Sequence, residues 1–487
     1  MVPIIWNAIV ILSGNRCNQS DGLIKIKERC AKARSCSTMT NAQTLKNAGP
    51  APRYTSYPTA PHFHDGIDGA RYAEWLATLP AGARLSLYVH IPFCDTLCWF
   101  CGCHTKETHR YDPVAAYLVP LKKEIGLIAG NLPEKVTLDQ IHWGGGSPTI
   151  LNPDDIADLA LTIRKAFAVA EDAEFAIEID PRNLDAERIS ALAEAGMTRA
   201  SLGVQDFNED VQNAINRRQS FEETATVIDG LRAHGVRSLN IDFLYGLPHQ
   251  TRAGIKATVD KVIALNPDRI ALFGYAHVPW MKRHQKMIDE SALPDALERF
   301  AQSNDAANRL VEAGYCRVGM DHFARPEDTL AIASRTGRLN RNFQGYTADK
   351  YDALIGLGAS AIGELPQGYV QNIVDTRGYC RAIETDGMAT CRGVAVSTED
   401  QVRRFVIERL MCDFALRRTD LVSRFGEGAQ PVIKEADHLA DTDPDGFFRH
   451  NGDGFVITES GRPYVRTICA SFDTYFATGA ARHSTGV

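Results

Sequence analysis

The chain has 487 residues, a formal net charge of −7 and 44% apolar residues. That is the profile of a soluble globular protein of two or three domains, and it excludes general nucleic-acid binding while leaving room for a local basic pocket. Twelve cysteines are too sparse in a chain this long to form a disulfide scaffold. Their clustering in one loop points to metal binding in a reducing, cytoplasmic setting.

Residues 1–50 read as a disordered leader or a misassigned start. Ile4 to Leu12 is apolar but too short to span a bilayer, and no basic stretch precedes it as a secretory signal would require. A second methionine, Met39, opens a more ordinary N-terminus. Residues 51–84 form an N-terminal strap, where the proline- and tyrosine-rich PRYTSYPTA (Pro52 to Ala60) favours extended backbone. It either packs over the core or acts as a lid near an active site.

From residue 85 short apolar runs alternate with helical periodicity, as βα units of a parallel sheet do. Strands are expected at Leu85–Ile91, Gln140–Trp143, Glu174–Ile179, Arg199–Val204, Ser238–Leu244 and Arg269–Tyr275. Helices are expected near residues 113–129, 153–168, 185–195, 221–234 and 252–265. Most of these strands end on unusual residues, which is where α/β barrels place their chemistry. Six units predict an α/β fold with a partial (β/α)6 barrel over residues 85–377.

The first strand runs into LYVHIPFCDTLCWFCGCHTKETHR, with Cys94, Cys98, Cys101 and Cys103 close together. The first three follow C-x3-C-x2-C. Three thiolates on one loop match an iron–sulfur cluster that leaves one iron without a protein ligand. The second strand ends in His142-Trp143-Gly144-Gly145-Gly146-Ser147-Pro148-Thr149. Its glycines allow close backbone approach to a ligand, but it is neither a Walker loop nor a dinucleotide fingerprint. A tight turn at a sheet edge is the plainer reading.

In AIEIDPR, Glu178 and Asp180 alternate with apolar residues and so share one face of their strand. Carboxylates there could receive a ribose hydroxyl or an ammonium. A salt bridge to Arg182 or Arg199 is as good an account of Asp180. Gln205 and Asp206 follow the fourth strand, Asp242 lies in the fifth, and Arg217 sits on a helix where it would ordinarily be a solvated charge. Gly356 to Ala361 satisfies G-x-G-x-x-A without a surrounding βαβ unit, so it reads as close-packed backbone rather than a dinucleotide site. The isolated Cys316, Cys380, Cys391, Cys412 and Cys469 read as buried thiols. Residues 378–487 lose the βα rhythm and read as a small, mainly helical domain, with a helix at Glu399 to Phe414 and a hairpin at Gly452 to Thr458. It could cover the open barrel mouth, with Phe472 to Tyr475 as an anchor.

The cysteine spacing and glycine turn resemble the radical S-adenosylmethionine (SAM) superfamily. Longer motifs resemble one family within it, the oxygen-independent coproporphyrinogen III oxidases: PRYTSYPTA, YVHIPFC with its following cysteines, HWGGGSPT, IEIDPR, LGVQDFN, NIDFLYGLP, FGYAH, GMDHFARPED, RNFQGYT and CASFDTY. The resemblance implies that Cys94, Cys98 and Cys101 bind a 4Fe–4S cluster, with Cys103 nearby and not a ligand. It implies two SAM molecules per active site. Tyr88, Gly145, Glu178 and Ile362 would contact the cluster-bound one, with Tyr88 and Glu178 in the catalytic role. Phe100, Gly146, Ser147, Gln205, Arg217, Asp242 and Ala276 would surround the second. Ser147 replaces a more usual threonine and keeps its hydroxyl.

The implied reaction removes a hydrogen atom from a propionate β-carbon, so that CO2 leaves and a vinyl group forms, with one electron left over for an acceptor. An ionic route would leave an unstabilised carbanion, so the cofactor carries the hard step. Two such events take coproporphyrinogen III to protoporphyrinogen IX. The resemblance further implies a monomer without a membrane span and an unidentified reductant, such as a flavodoxin or ferredoxin system. Four substrate carboxylates call for basic residues, with Arg53, Arg217 and Arg325 as candidates. A haem-binding chaperone of the same family is the alternative, but it generally lacks Cys103 and the strap. A zinc-binding structural protein fits less well, because zinc ribbons space their knuckles farther apart.

Overall fold

The computed structural model describes residues 46, 49–385 and 387–476. The leader expected before Met39 lies outside the described residues. Six strands lie parallel and in sequence order: β1 (Arg84–Ile91), β2 (Thr137–Gly145), β3 (Ala168–Ile179), β4 (Arg199–Gln205), β5 (Ser238–Tyr245) and β6 (Arg269–Gly274). Between them run α1 (Asp112–Gly130), α2 (Pro153–Ala166), α3 (Ala186–Glu194), α4 (Phe221–Ala233) and α5 (Arg252–Ala264). α2 to α5 each start where a side-chain oxygen accepts from a first-turn N–H. These caps are Asn152, Asp185, Ser220 and Thr251, and they satisfy donors that the helix itself leaves orphaned. A sixth helix, α6 (Ala296–Glu312), is capped by Asp295.

Alternation along the strands sorts the two faces. Leu85, Leu87, Val89 and Ile91 of β1, with Ile177 and Ile179 of β3, are buried in the main core with the helices. Tyr88, His90, Glu178 and Asp180 therefore point to the other face, the barrel interior.

The sheet goes beyond the six strands. It continues through β7 (Cys316–Val318), β8 (His322–Ala324), β9 (Ala353–Leu357), β10 (Ile362–Leu365), β11 (Gly368–Asn372) and β12 (Thr390–Ala395). The spatial order is β12-β11-β10-β9-β1-β2-β3-β4-β5-β6-β8-β7. β9 lies parallel to β1, whereas β8 and β10 to β12 are antiparallel to their neighbours. The two edges do not join, which makes the barrel partial. Antiparallel strands need no crossover helix, so the βα rhythm ends while the sheet runs on to Ala395. A boundary at 378 therefore falls inside the sheet.

The G-x-G-x-x-A stretch closes β9 and turns into β10. A Cβ on Gly356 would sit 2.5 Å from the Ile362 carbonyl oxygen, and one on Gly358, whose φ is +96°, would meet the Tyr117 hydroxyl at 2.5 Å. This is close-packed backbone leading into an antiparallel hairpin.

A second core joins α7 (Thr398–Asp413), α8 (Gln430–Thr442) and the small sheet Ala415–Arg417, Phe448–Asn451 and Gly454–Ile457. Tyr54 and Tyr57 of the strap are buried in this core rather than in the barrel. Cys316, Cys412 and Cys469 are buried, but Cys380 is half-buried and Cys391 exposed, because strand alternation turns Cys391 outward at the edge strand β12. Among the described residues no helix is long and apolar enough to cross a membrane.

Candidate active site

The site is built at the carboxyl ends of the parallel strands, beginning with the turn after β2. Each glycine there is required by a different neighbour. A Cβ on Gly144 would lie 2.7 Å from the Glu178 carboxyl carbon, and one on Gly145 (φ +111°) would lie 2.5 Å from the His90 ring. On Gly146 it would lie 2.4 Å from the Phe93 carbonyl oxygen. The turn then bonds back to the strand leading into the cysteine loop, Gly146 N–H to Ile91 O at 2.8 Å and Ser147 N–H to Phe93 O at 2.7 Å. The Ser147 hydroxyl pairs with Thr149 at 2.8 Å.

Glu178 closes on this turn. Its Oε2 accepts from Gly145 N–H at 2.9 Å and its Oε1 from His142 Nε2 at 3.3 Å. Burial favours the neutral carboxyl, but the His142 and Gly145 donors outweigh it and hold the pKa below the ordinary value. Glu178 thus presents a carboxylate to the interior. Beside it, the Tyr88 hydroxyl lies 3.0 Å from His90 Nδ1, and His90 Nε2 lies 2.9 Å from the His104 carbonyl. A carbonyl only accepts, so Nε2 carries the proton and Nδ1 accepts from Tyr88. Burial keeps His90 neutral and Tyr88 protonated.

The cysteine loop is clamped from two sides. His284 donates to Cys101 O at 2.7 Å, Lys282 to Cys103 O at 2.9 Å and Gln285 to Phe100 O at 2.9 Å. From the other side Trp99 N–H donates to Ile215 O at 3.0 Å, and Asn216 Nδ2 to Leu97 O at 3.0 Å. Arg182 and Arg217 each bring a guanidinium N–H to 3.5 Å from the Cys98 sulfur, and both pair with Asp180. That ion-paired carboxylate is held down at about 2, against burial, by Arg217 and Arg182.

Hydrogen bonding from Cys103 and the charges of Lys282 and Arg217 draw the Cys101 thiol down to about 7, in opposition to burial. Burial pushes the Cys94 thiol up to about 12, so a cationic metal centre is what would deprotonate it. Among the described residues no three His, Cys, Asp or Glu side chains gather around one point as a single ion would require. A four-iron cluster instead takes one thiolate at each of three irons. Three thiols on one clamped loop, with cations facing one of them, fit that group.

The other expected positions fall around the same face. Gln205 has φ +69° and ends β4, while Asp242 lies opposite Gly203 in β5. Asp242 accepts from Asn240 at 2.7 Å and Ser201 at 3.2 Å, and burial lifts its pKa to about 6. Ala276 follows β6, and its carbonyl accepts from Gln285 at 3.2 Å. Phe100 is half-buried against the cluster of Val211, Ile215 and Leu247. Ile362 opens β10, across from Gln371.

Two expectations need correction. Arg217 is neither on a helix nor solvated. The helix ends at Ala214, Asn216 turns with φ +54°, and the Arg217 side chain is buried against Asp180 and the Gly203 carbonyl. Arg325 lies at the wrong end of the barrel. Its N–H donates to Asp268 O at 2.9 Å and its guanidinium bonds to Asn266, both at the amino end of β6. The expected salt bridge of Asp180 forms with Arg182 rather than Arg199, whereas His90, His142 and His284 were not expected at the site. Period-two spacing from Tyr88 to His90 and from His142 to Gly144 carried the signal for the first two.

The chain matches the family model "Radical SAM superfamily" over residues 88–262. It is 48% identical over 436 residues to a Bradyrhizobium diazoefficiens protein named oxygen-independent coproporphyrinogen III oxidase, covering 90% of this chain and 97% of that one. A Salmonella typhimurium protein of the same name is 40% identical over 425 residues, covering 87% and 93%. The solved structure of coproporphyrinogen III oxidase (HemN) from Escherichia coli, described as a radical SAM enzyme, superposes with a TM-score of 0.84 at 38% identity. That match covers 90% of this chain and 99% of that one. Barrel, cysteine loop and glycine turn thus stand within full-length similarity, and the chain belongs to the oxygen-independent coproporphyrinogen III oxidases of the radical SAM superfamily.

Proposed function

We propose that this chain oxidatively decarboxylates two propionates of coproporphyrinogen III to vinyls, forming protoporphyrinogen IX for anaerobic haem synthesis. The observation that carries the reading is the Gly144–Gly146 turn. It seats a backbone N–H on the ionised Glu178 beside a three-thiol loop at the catalytic end of the barrel. Cys94, Cys98 and Cys101 would hold the 4Fe–4S cluster. With SAM bound, a reduced cluster of this kind supplies a 5′-deoxyadenosyl radical able to abstract the propionate hydrogen atom.

The chain's own residues bind and orient. Glu178 offers a carboxylate to the SAM ammonium or ribose, with Tyr88, Gly145 and Ile362 around it. Phe100, Gly146, Ser147, Gln205, Arg217, Asp242 and Ala276 would hold a second SAM. Electrons would come from a reductant such as a flavodoxin or ferredoxin system to a single cytoplasmic chain.

Cys103 and the strap favour the decarboxylase over the haem-chaperone branch. The test is anaerobic cluster reconstitution, followed by assay with SAM, a reductant and coproporphyrinogen III. Vinyl products are expected. Release of 5′-deoxyadenosine without them, together with stable haem binding, would overturn the reading. Cys103→Ser should keep the cluster's absorption, whereas loss of that absorption would make Cys103 a ligand.

A further inference from the structure

Four arginines from four separate stretches of chain meet at the carboxyl ends of β5 and β6. Arg53 of the strap donates to Gly274 O at 3.3 Å. Arg299 of α6 donates to Tyr275 O at 3.0 Å and to Gly246 O at 3.4 Å, and it lies 5.6 Å from the centre of the Tyr245 ring. Arg341 donates to Arg53 O and Tyr54 O, each at 3.4 Å, and stacks 4.6 Å from the Tyr346 ring. Its buried Nη1 has no hydrogen-bond partner. Arg466, from the short helix Val465–Ala470, is buried and lies within electrostatic reach of Arg53 and Arg341. Burial and the charges of Arg53 and Arg341 push its pKa down to about 10.

Space is reserved for this group. A Cβ on Gly246 would fall 2.1 Å from Arg299 Nη1, and one on Gly274 would meet the Tyr245 hydroxyl at 2.8 Å and Arg299 Nη2 at 3.3 Å. Asp321 is the carboxylate that acts on Arg53, Arg341 and Arg466. It is already bonded to His322 at 2.6 Å. Arg53 is exposed, Arg299 and Arg341 are half-buried and Arg466 is buried, and gathering like charges this closely is unfavourable unless an anionic guest offsets it. Guanidinium forks match carboxylates in geometry as well as in charge. The location also suits the chemistry, because Gly274 and Tyr275 lead directly into Ala276, which follows β6 at the site.

We propose that Arg53, Arg299, Arg341 and Arg466 form the receptor for the substrate's propionate carboxylates, placing the tetrapyrrole across Tyr275 and Ala276 beside the cysteine loop. This rests on the tetrapyrrole reading above. It replaces Arg217, which is committed to Asp180 and Cys98, and Arg325, which lies at the opposite end of the barrel. The strap then has a direct role, since Arg53 reaches the site only when PRYTSYPTA is seated.

The test uses the cluster-loaded protein without oxygen. Coproporphyrin III, the stable tetracarboxylate, and its tetramethyl ester are titrated by porphyrin fluorescence, and KM and kcat are measured with coproporphyrinogen III. Arg53→Gln and Arg299→Gln should each weaken coproporphyrin III binding about ten-fold. Ester binding and the cluster absorption should stay unchanged, and KM should rise with kcat preserved. Arg325→Gln should behave as wild type. Equal wild-type affinity for acid and ester, or unchanged affinity in both arginine variants, overturns the proposal. A wild-type protein that binds the tetra-acid through these arginines yet makes no protoporphyrinogen IX would sink the decarboxylase reading instead. Should Arg299→Gln fail to fold, Arg53→Gln decides alone, because Arg53 is exposed on the strap.

Discussion

Glu178 shows how one residue's charge state is set by backbone geometry. The Glu178 carboxyl is half-buried, and lost hydration alone would push it toward the neutral form. Here the glycine turn delivers the Gly145 N–H, and β2 delivers His142, so the ionised form wins. Replacing Glu178 with Gln keeps the shape but removes the charge and turns one acceptor into a donor facing Gly145 or His142. Hydrogen bonds to charged groups contribute about 1.5–3 kcal/mol, so release of 5′-deoxyadenosine should fall roughly ten- to a hundred-fold. The cluster absorption should not change, since Glu178 bonds to none of the cysteines. If Glu178→Gln cleaved SAM at the wild-type rate, Glu178 would be only a support for the turn.

At the scale of elements, the strap and the C-terminal region are fastened by one polar seam. The Tyr54 hydroxyl donates to Asp473 at 3.0 Å in a buried setting, Tyr57 pairs with Thr474 at 3.1 Å, and Tyr475 donates to Asp400 at 3.0 Å. Tyr54→Phe leaves the buried Asp473 carboxylate short of a donor. It should cost about 1–3 kcal/mol and be seen as a lower Tm and faster proteolysis of the strap. Asp473→Asn should cost less on the Tyr54→Phe background than alone, and simple additivity of the two would show that they do not act as a pair. The βα units were legible in the sequence because buried parallel strands are continuous apolar runs, and because capping residues announce α2 to α5. The antiparallel extension was not legible. β10 and β11 are short and almost wholly buried, so no alternation marks them. The same blindness misplaced Arg325, since which barrel end it occupies depends on β8 running antiparallel to β6. Cys94 to Cys103 and Gly144 to Gly146 were legible because their residue types have few other uses at that density. The arginine cluster was not, because its members are scattered from Arg53 to Arg466 and meet only in the folded chain.

Across the whole molecule, the half-buried Glu174 and the buried Glu124 give the stability curve opposite slopes. Glu174 joins β3 to β4 through Arg199. Burial would raise its carboxyl, but Arg199 outweighs this and holds it at about 2, below the ordinary 4.5. A lowered folded pKa means that the unfolded chain binds the proton first. The contribution of Glu174 is therefore present above 4.5 and is lost as pH falls toward 2. Glu124 of α1 accepts from Gly358 N–H, Asn372 and Tyr379, each at 2.7 Å, so it ties α1 to the turn after β9, to β11 and to the helix Thr376–Thr385. Burial outweighs these three donors and raises its carboxyl from 4.5 to about 7. In this case the folded state holds the proton longer, so stability falls as pH rises from 4.5 to 7 and is level above that. The loss is on the order of 3 kcal/mol. Glu124→Gln should flatten the wild-type decline in unfolding free energy between pH 5 and 7. The slope is the readout, because the amide leaves one of the three donors badly matched and shifts the absolute stability as well. An unchanged slope in Glu124→Gln would place that proton on another group. Glu174→Gln should leave this window alone and remove part of the loss below pH 4.5, which separates the two contributions.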